Sequence, residues 1–194
     1  IGFDPAPAAE IAGLFADLPP ELRGLLSATA GCSAYLRDLM LREADWLRPA
    51  LHEAPETAFA SLLANLDAIA TDDLSRALRE VKRRAALLTA LADLGGVWPT
   101  MTVTGALTEL ADRAVDLCLK RLVADEIRRG KLPGASPDDT ATAGGMFALA
   151  MGKMGAGELN YSSDIDLICL FDQDRYGEDW QDARAAFIRV TLKM

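Results

Sequence analysis

Two aspartates, Asp164 and Asp166, stand one residue apart in the stretch Ser163-Asp-Ile-Asp-Leu-Ile-Cys-Leu-Phe171. The β-branched and apolar residues from Ile165 to Phe171 predict a buried strand. Side chains two apart on a strand share a face, so both carboxylates would emerge together while Ile165 and Leu167 turn toward the core. Carboxylates about 6–7 Å apart repel one another unless a cation lies between them. Hard oxygen donors of this kind suit Mg²⁺, which usually completes its shell with substrate phosphates. The chemistry expected is a phosphoryl displacement, with metal ions clamping the attacking and leaving oxygens.

Upstream, Gly152, Gly155 and Gly157 permit a tight turn whose backbone N–H groups can approach phosphate oxygens without interference from Cβ atoms. Lys153 and the hydroxyls of Ser162 and Ser163 could add donors. A glycine-rich turn alone is most often only a turn, and an isolated Asp-x-Asp is often a solvated strand edge. The joint pattern is more restrictive: an apolar strand, Gly-Lys, about ten residues, then Asp-apolar-Asp-apolar-apolar. A dinucleotide site would need GxGxxG opening a helix and an acid some 20 residues on, whereas here a second strand follows almost at once. A Walker loop is excluded because no GxxxxGK[ST] segment exists.

This pattern resembles the nucleotidyltransferase superfamily, in which a glycine turn precedes a paired acidic strand. The string Met-Gly-Lys-Met-Gly-Ala-Gly-Glu-Leu-Asn-Tyr-Ser-Ser-Asp-Ile-Asp-Leu-Ile168 is similar to the bacterial glutamine synthetase adenylyltransferase/adenylyl-removing enzymes. So is the helical segment Ala77-Leu-Arg-Glu-Val-Lys-Arg-Arg-Ala-Ala-Leu-Leu88. The resemblance covers about residues 70–194 well and the first 70 loosely. It implies that Asp164 and Asp166 are metal-binding catalytic acids and that Gly152, Lys153 and Ser163 bind phosphate or nucleotide. Mg²⁺, with Mn²⁺ as substitute, is the implied cofactor. Implied partners are glutamine synthetase with its adenylylated tyrosine, inorganic phosphate and ADP or ATP, and the PII signal protein.

The motif and its long helical lead resemble that family's N-terminal core, which removes AMP by phosphorolysis to give ADP and tyrosine. The adenylyl-adding core, which uses ATP, and a non-catalytic helical interaction module are the alternatives. Ala150 and Ala156 stand where the family commonly has glycine. The family's third carboxylate, in an Asp-x-Arg-Leu-Arg-Pro segment, has no match, so the chain looks like a fragment and is expected to be inactive alone.

The elements that must position these residues divide near residue 135. Before it, helical periodicity dominates. Leu74, Leu78, Val81, Ala85, Leu88 and Ala92 form one stripe over Asp72–Leu94, stopped by Gly95-Gly96 and Pro99. A second long helix is expected from about Thr104 to Arg129, with Leu107, Ala111, Ala114 and Cys118 on one face. Arg128, Arg129 and Lys131 suit its negative end and are read as capping rather than a phosphate patch. Shorter helices are expected within Ala8–Leu18, Cys32–Leu47 and Glu56–Ala70. Residues 131–143 read as a linker or long loop. Strands at about 145–151 and 165–171 and a helix over 179–194 complete the order. The fold class is therefore α+β: a helical part, residues 1–135, then the start of a nucleotidyltransferase-type mixed sheet with flanking helices, residues 136–194.

The 194 residues carry 20 basic and 29 acidic side chains, a net charge of −9, and are 51% hydrophobic. That excludes a disordered chain and makes DNA an unfavourable partner. No apolar run reaches the roughly 20 residues of a membrane helix. Without a basic, apolar leader and with three cysteines in no CxxC spacing, a cytoplasmic protein with reduced thiols is expected. Cys32, Cys118 and Cys169 are read as small core residues, and His52 as a solvated helix residue.

Overall fold

The computed structural model describes residues 4–66, 69 and 73–194, which fall into two compact units. Unit 1 comprises Ile1–Ala68 and Ser75–Leu107; unit 2 comprises Ile69–Leu74 and Thr108–Met194.

Unit 1 is helical. It holds α1 (Pro5–Leu14), α2 (Pro20–Cys32), α3 (Ala34–Arg42), α4 (Ala44–Ala50), α5 (Pro55–Ala64), most of α6 (Leu74–Leu94) and the start of α7 (Thr100–Arg128). The α2 helix is absent from the sequence expectation. Pro20 opens it at a position where a missing N–H costs nothing, and Gly24, Ser27, Thr29 and Gly31 blur its apolar period. The single helix expected over Cys32–Leu47 is instead the pair α3 and α4. Ser33 starts α3, its Oγ accepting from the Leu36 N–H at 3.2 Å, and Glu43 breaks the helix at φ −110°, ψ 22°. Cys32 is exposed, not part of the core, because it ends α2 beside that break. His52 is solvated but lies in a turn after α4 rather than in a helix. The expected ends at Ala70 and Asp72 lie outside the described residues.

The α6 stripe is buried at Leu74, Val81, Ala85, Leu88 and Ala92, as its spacing predicts. Leu87 and Leu91, on another row of the same helix, join Ile11, Phe15, Leu26 and Met40 in the unit 1 core. Glu43 is only 5% exposed there, and Arg83 Nε (2.7 Å) and Arg84 Nε (2.9 Å) donate to its two carboxylate oxygens. Burial pushes its carboxyl up, but the two guanidinium bonds outweigh this and hold it below the ordinary range.

Unit 2 contains the rest of α7, a 3-10 segment (Pro137–Gly145), β1 (Met146–Ala150), α8 (Gly152–Gly155), β2 (Leu167–Phe171), a second 3-10 segment (Asp174–Asp179) and α9 (Trp180–Thr191). The stretch read as a linker is thus largely structured: Asp139 accepts from the Ser136 N–H in a capping box. It ends in three left-handed residues, Ala143, Gly144 and Gly145, which turn the chain into β1. A Cβ on Gly144 would meet Leu132 at 2.8 Å, and the Tyr176 hydroxyl donates to the Gly144 carbonyl.

β1 and β2 are antiparallel, with Met146 opposite Phe171, Ala148 opposite Cys169 and Ala150 opposite Leu167. These six side chains form the covered face of the sheet. The unit 2 core includes Val123 of α7, Met146 and the α9 residues Ala183, Ala186, Phe187 and Val190, with Phe171 5.0 Å from the Phe187 ring. Glu126 of α7, 2% exposed, accepts from Arg189 of α9 at 2.9 and 2.7 Å. The opposite face of the sheet is uncovered: Phe147, Leu149, Ile168 and Leu170 are exposed. The strand read as buried is covered on one side, the face of Leu167, Cys169 and Phe171, because the unit's helices pack against one face only. Among the described residues no helix is long and apolar enough to cross a membrane.

Candidate active site

Asp164 and Asp166 lie in the segment leading into β2 rather than within it, since ladder pairing begins at Leu167. One further backbone bond reaches Asp166: its carbonyl accepts from the Met151 N–H at 2.9 Å, just past the end of β1. Both aspartates are exposed. Ile165 is exposed as well, against the expectation that it enters the core, because it precedes the part of the strand that the helices cover. Among the described residues neither carboxylate is held by a cation or a hydrogen-bond donor.

The glycine-rich stretch is a single helical turn, α8, seated on the end of β1. Gly155 N–H donates to Met151 O at 3.2 Å and Ala156 N–H to Gly152 O at 3.1 Å. Gly155 is required by contact, since a Cβ there would lie 2.4 Å from the Ala150 carbonyl oxygen. Gly152 is left-handed at φ +56°, and a Cβ on it would come within 4.0 Å of Asp166 Oδ2. The turn and the second acid are thus neighbours. Ala156, where glycine is common in the family, has φ −86° and needs no glycine. Lys153 is exposed on the same turn.

Between α8 and β2 the chain is fastened twice. Leu159 is buried, and its N–H donates to Thr108 Oγ1 on α7 at 3.2 Å. Asn160 Oδ1 then accepts from the Ser163 hydroxyl at 2.7 Å and the Ser162 N–H at 3.2 Å. The Ser163 hydroxyl hydrogen is accordingly directed at Asn160. Thr108 and Asn160 did not emerge from motif spacing. A threonine 51 residues upstream carries no local signal, and Asn160 reads as an ordinary turn residue. On the covered side of the sheet a cavity of about 330 Å³ is lined by Asp112, Asp116 and Lys120 of α7 and by Ala148, Ala150 and Leu167. The small side chains at 148 and 150 help to leave that space.

The pair of carboxylates beside a glycine turn offers hard oxygen donors with unspent charge. Among the described residues no group of three or more His, Cys, Asp or Glu is placed to hold a metal. Two protein carboxylates nevertheless fit Mg²⁺, which keeps waters and substrate phosphates in its shell.

Residues 24–194 match the family model described as glutamate-ammonia ligase adenylyltransferase. The chain belongs to this family. It is similar to bifunctional glutamine synthetase adenylyltransferase/adenylyl-removing enzymes, 43% identical over 194 residues to that of a Bradyrhizobium species (97% of this chain, 20% of the relative). To that of Rhodopseudomonas palustris it is 44% identical over 192 residues (89% and 19%), and to that of Xanthobacter autotrophicus 40% over 175 (88% and 18%). The chain spans about a fifth of the length of these adenylyltransferase relatives. No solved structure matches it.

Proposed function

We propose that this chain carries the first acidic pair of an adenylyl-removing core, acting on the AMP-tyrosine of glutamine synthetase. The observation that carries the reading is the uncommitted pair Asp164 and Asp166, with Asp166 beside Gly152. In the reaction a phosphate oxygen attacks the AMP phosphorus and the tyrosyl oxygen leaves, taking up a proton. The products are ADP and the free tyrosine of glutamine synthetase. Asp164 and Asp166 would hold Mg²⁺. When bound, that ion screens the charge on the phosphates and stabilises the transition state.

The chain's own residues supply position and charge. Gly152 takes the left-handed turn beside the Asp166 carboxylate, and Lys153 adds a positive side chain on the same turn. Gly155 fixes the turn against β1. The exposure of both aspartates gives a macromolecular substrate access to the pair. The PII signal protein and a cytoplasmic setting belong to the same reading.

In the complete enzyme, Asp164→Asn or Asp166→Asn is expected to abolish ADP release from adenylylated glutamine synthetase, phosphate and Mg²⁺. Loss of AMP addition with removal intact would transfer the site to the adenylyl-adding reaction.

A further inference from the structure

We propose that Asn160 is a positioning residue for the acidic pair, setting the direction in which the chain leaves Ser163 and enters Asp164. The proposal rests on the nucleotidyl-transfer reading above. Five hydrogen bonds close on this one residue. Its Oδ1 accepts from Ser163 Oγ (2.7 Å), Ser162 N–H (3.2 Å) and Ser162 Oγ (3.4 Å). Its carbonyl accepts from Ser163 N–H at 3.2 Å, and its own N–H donates to Ser163 Oγ at 3.4 Å. Ser163 is therefore tied to Asn160 through backbone and side chain alike.

That knot sits between two fixed points. On one side the Leu159 N–H is bonded to Thr108 and its side chain is buried. On the other, the Asp166 carbonyl is bonded to Met151. Asp164 and Ile165 lie between these anchors, so the geometry of residues 160–163 sets the direction in which the chain enters Asp164. What this geometry asks of residue 160 is a side-chain oxygen that accepts from the two serines, and a carboxylate oxygen meets that need as well as an amide oxygen. An outer residue that orients a metal ligand is typically worth 10–100-fold in metal affinity or activity.

The test compares Asn160→Ala, Asn160→Asp and Asp166→Asn in the full-length protein. Its readouts are amide hydrogen exchange at Ser162 and Ser163 without metal, Mn²⁺ affinity, and the split between kcat and KM. Asn160→Ala should speed exchange at both amides, weaken Mn²⁺ about tenfold and lower kcat with little change in KM. Asn160→Asp keeps the Oδ acceptors and should recover the protection and most of the Mn²⁺ affinity. Faster exchange in Asn160→Ala with unchanged Mn²⁺ affinity and kcat would overturn the proposal, leaving Asn160 as loop support. So would an Asn160→Asp variant that behaves like Asn160→Ala. Asp166→Asn tests the underlying reading separately: wild-type Mn²⁺ binding in that variant would remove the metal site itself, whatever Asn160 does.

Discussion

Glu43, in the helical unit, lies buried between Arg83 and Arg84, whereas Asp164 and Asp166, in the sheet unit, lie at the surface with no described side chain engaging them. Glu126 in the sheet unit follows the first pattern, taking its bonds from Arg189. Where a carboxylate holds the fold together, this chain supplies the countercharge itself. The two aspartates instead face solvent, with no described side chain paired to them. The same contrast appears in apolar packing, since the helices of unit 2 cover one sheet face and leave Phe147, Leu149, Ile168 and Leu170 in solvent.

The largest effect on stability is expected at Glu43. Glu43→Ala removes the buried carboxylate that Arg83 and Arg84 share, though Arg84 keeps Glu80, and losing such charge-assisted bonds costs about 1.5–3 kcal/mol. Urea unfolding at neutral pH measures it. The acid dependence follows from the lowered carboxyl: a depressed folded value stabilises above the ordinary carboxylate range and is lost as pH falls through the folded value. The unfolding midpoint should therefore drop on acidification below about pH 4.5, the ordinary value, and less steeply in Glu43→Gln than in the parent. Equal slopes would mean that the arginines do not hold the carboxyl down.

Next in size is Gly155→Ala. A Cβ placed 2.4 Å from the Ala150 oxygen forces α8 away from β1, and overpacking of this kind costs about 1–3 kcal/mol. Because Gly152, at the other end of that turn, adjoins Asp166, Mn²⁺ affinity should fall with stability. Ala156→Gly serves as the neighbouring control. Its φ of −86° demands no glycine, so it should change Mn²⁺ affinity little.

Where the pattern was periodic the sequence was readable. The α6 stripe from Leu74 to Ala92 is buried except for the half-buried Leu78, and of the face Ala183, Phe187, Val190 and Met194 the first three are buried while Met194, beyond the end of α9, is exposed. The α2 helix was hidden because its burial uses Thr29, Ala30 and Gly31, residues that carry little hydropathy. The break at Glu43 was hidden because that residue's partners, Arg83 and Arg84, stand 40 and 41 positions away and leave no local pattern. The two faces of β2 follow from the aspartate spacing, but the exposure of Ile168 and Leu170 was illegible, since Leu-Ile-Cys-Leu-Phe has no polar alternation to mark its outer face. The glycine turn and the acidic pair could be found from type and spacing, and the structure sets Gly152 beside Asp166. The fastening by Thr108 could not, because hydrogen bonds across 51 residues leave no local pattern.

The smallest expected stability effect is at Asp166, and its smallness is what separates the two kinds of carboxylate. Asp166 is exposed, its fixed bond to Met151 runs through the backbone carbonyl, and Asn preserves that carbonyl. Asp166→Asn should therefore move the unfolding free energy by no more than about 0.5 kcal/mol, the usual range for a surface change. Removing one of two neighbouring like charges biases that small change toward stabilisation. The same substitution takes away one of the two hard oxygen donors, so Mn²⁺ binding, followed by the loss of the free-ion spectroscopic signal on titration, should weaken severely. A chelator should consequently leave the melting temperature of Asp166→Asn unchanged, while reversing any rise that Mn²⁺ produces in the parent. A variant that melted several degrees lower without metal would place Asp166 with Glu43 among the structural acids and dissolve the contrast.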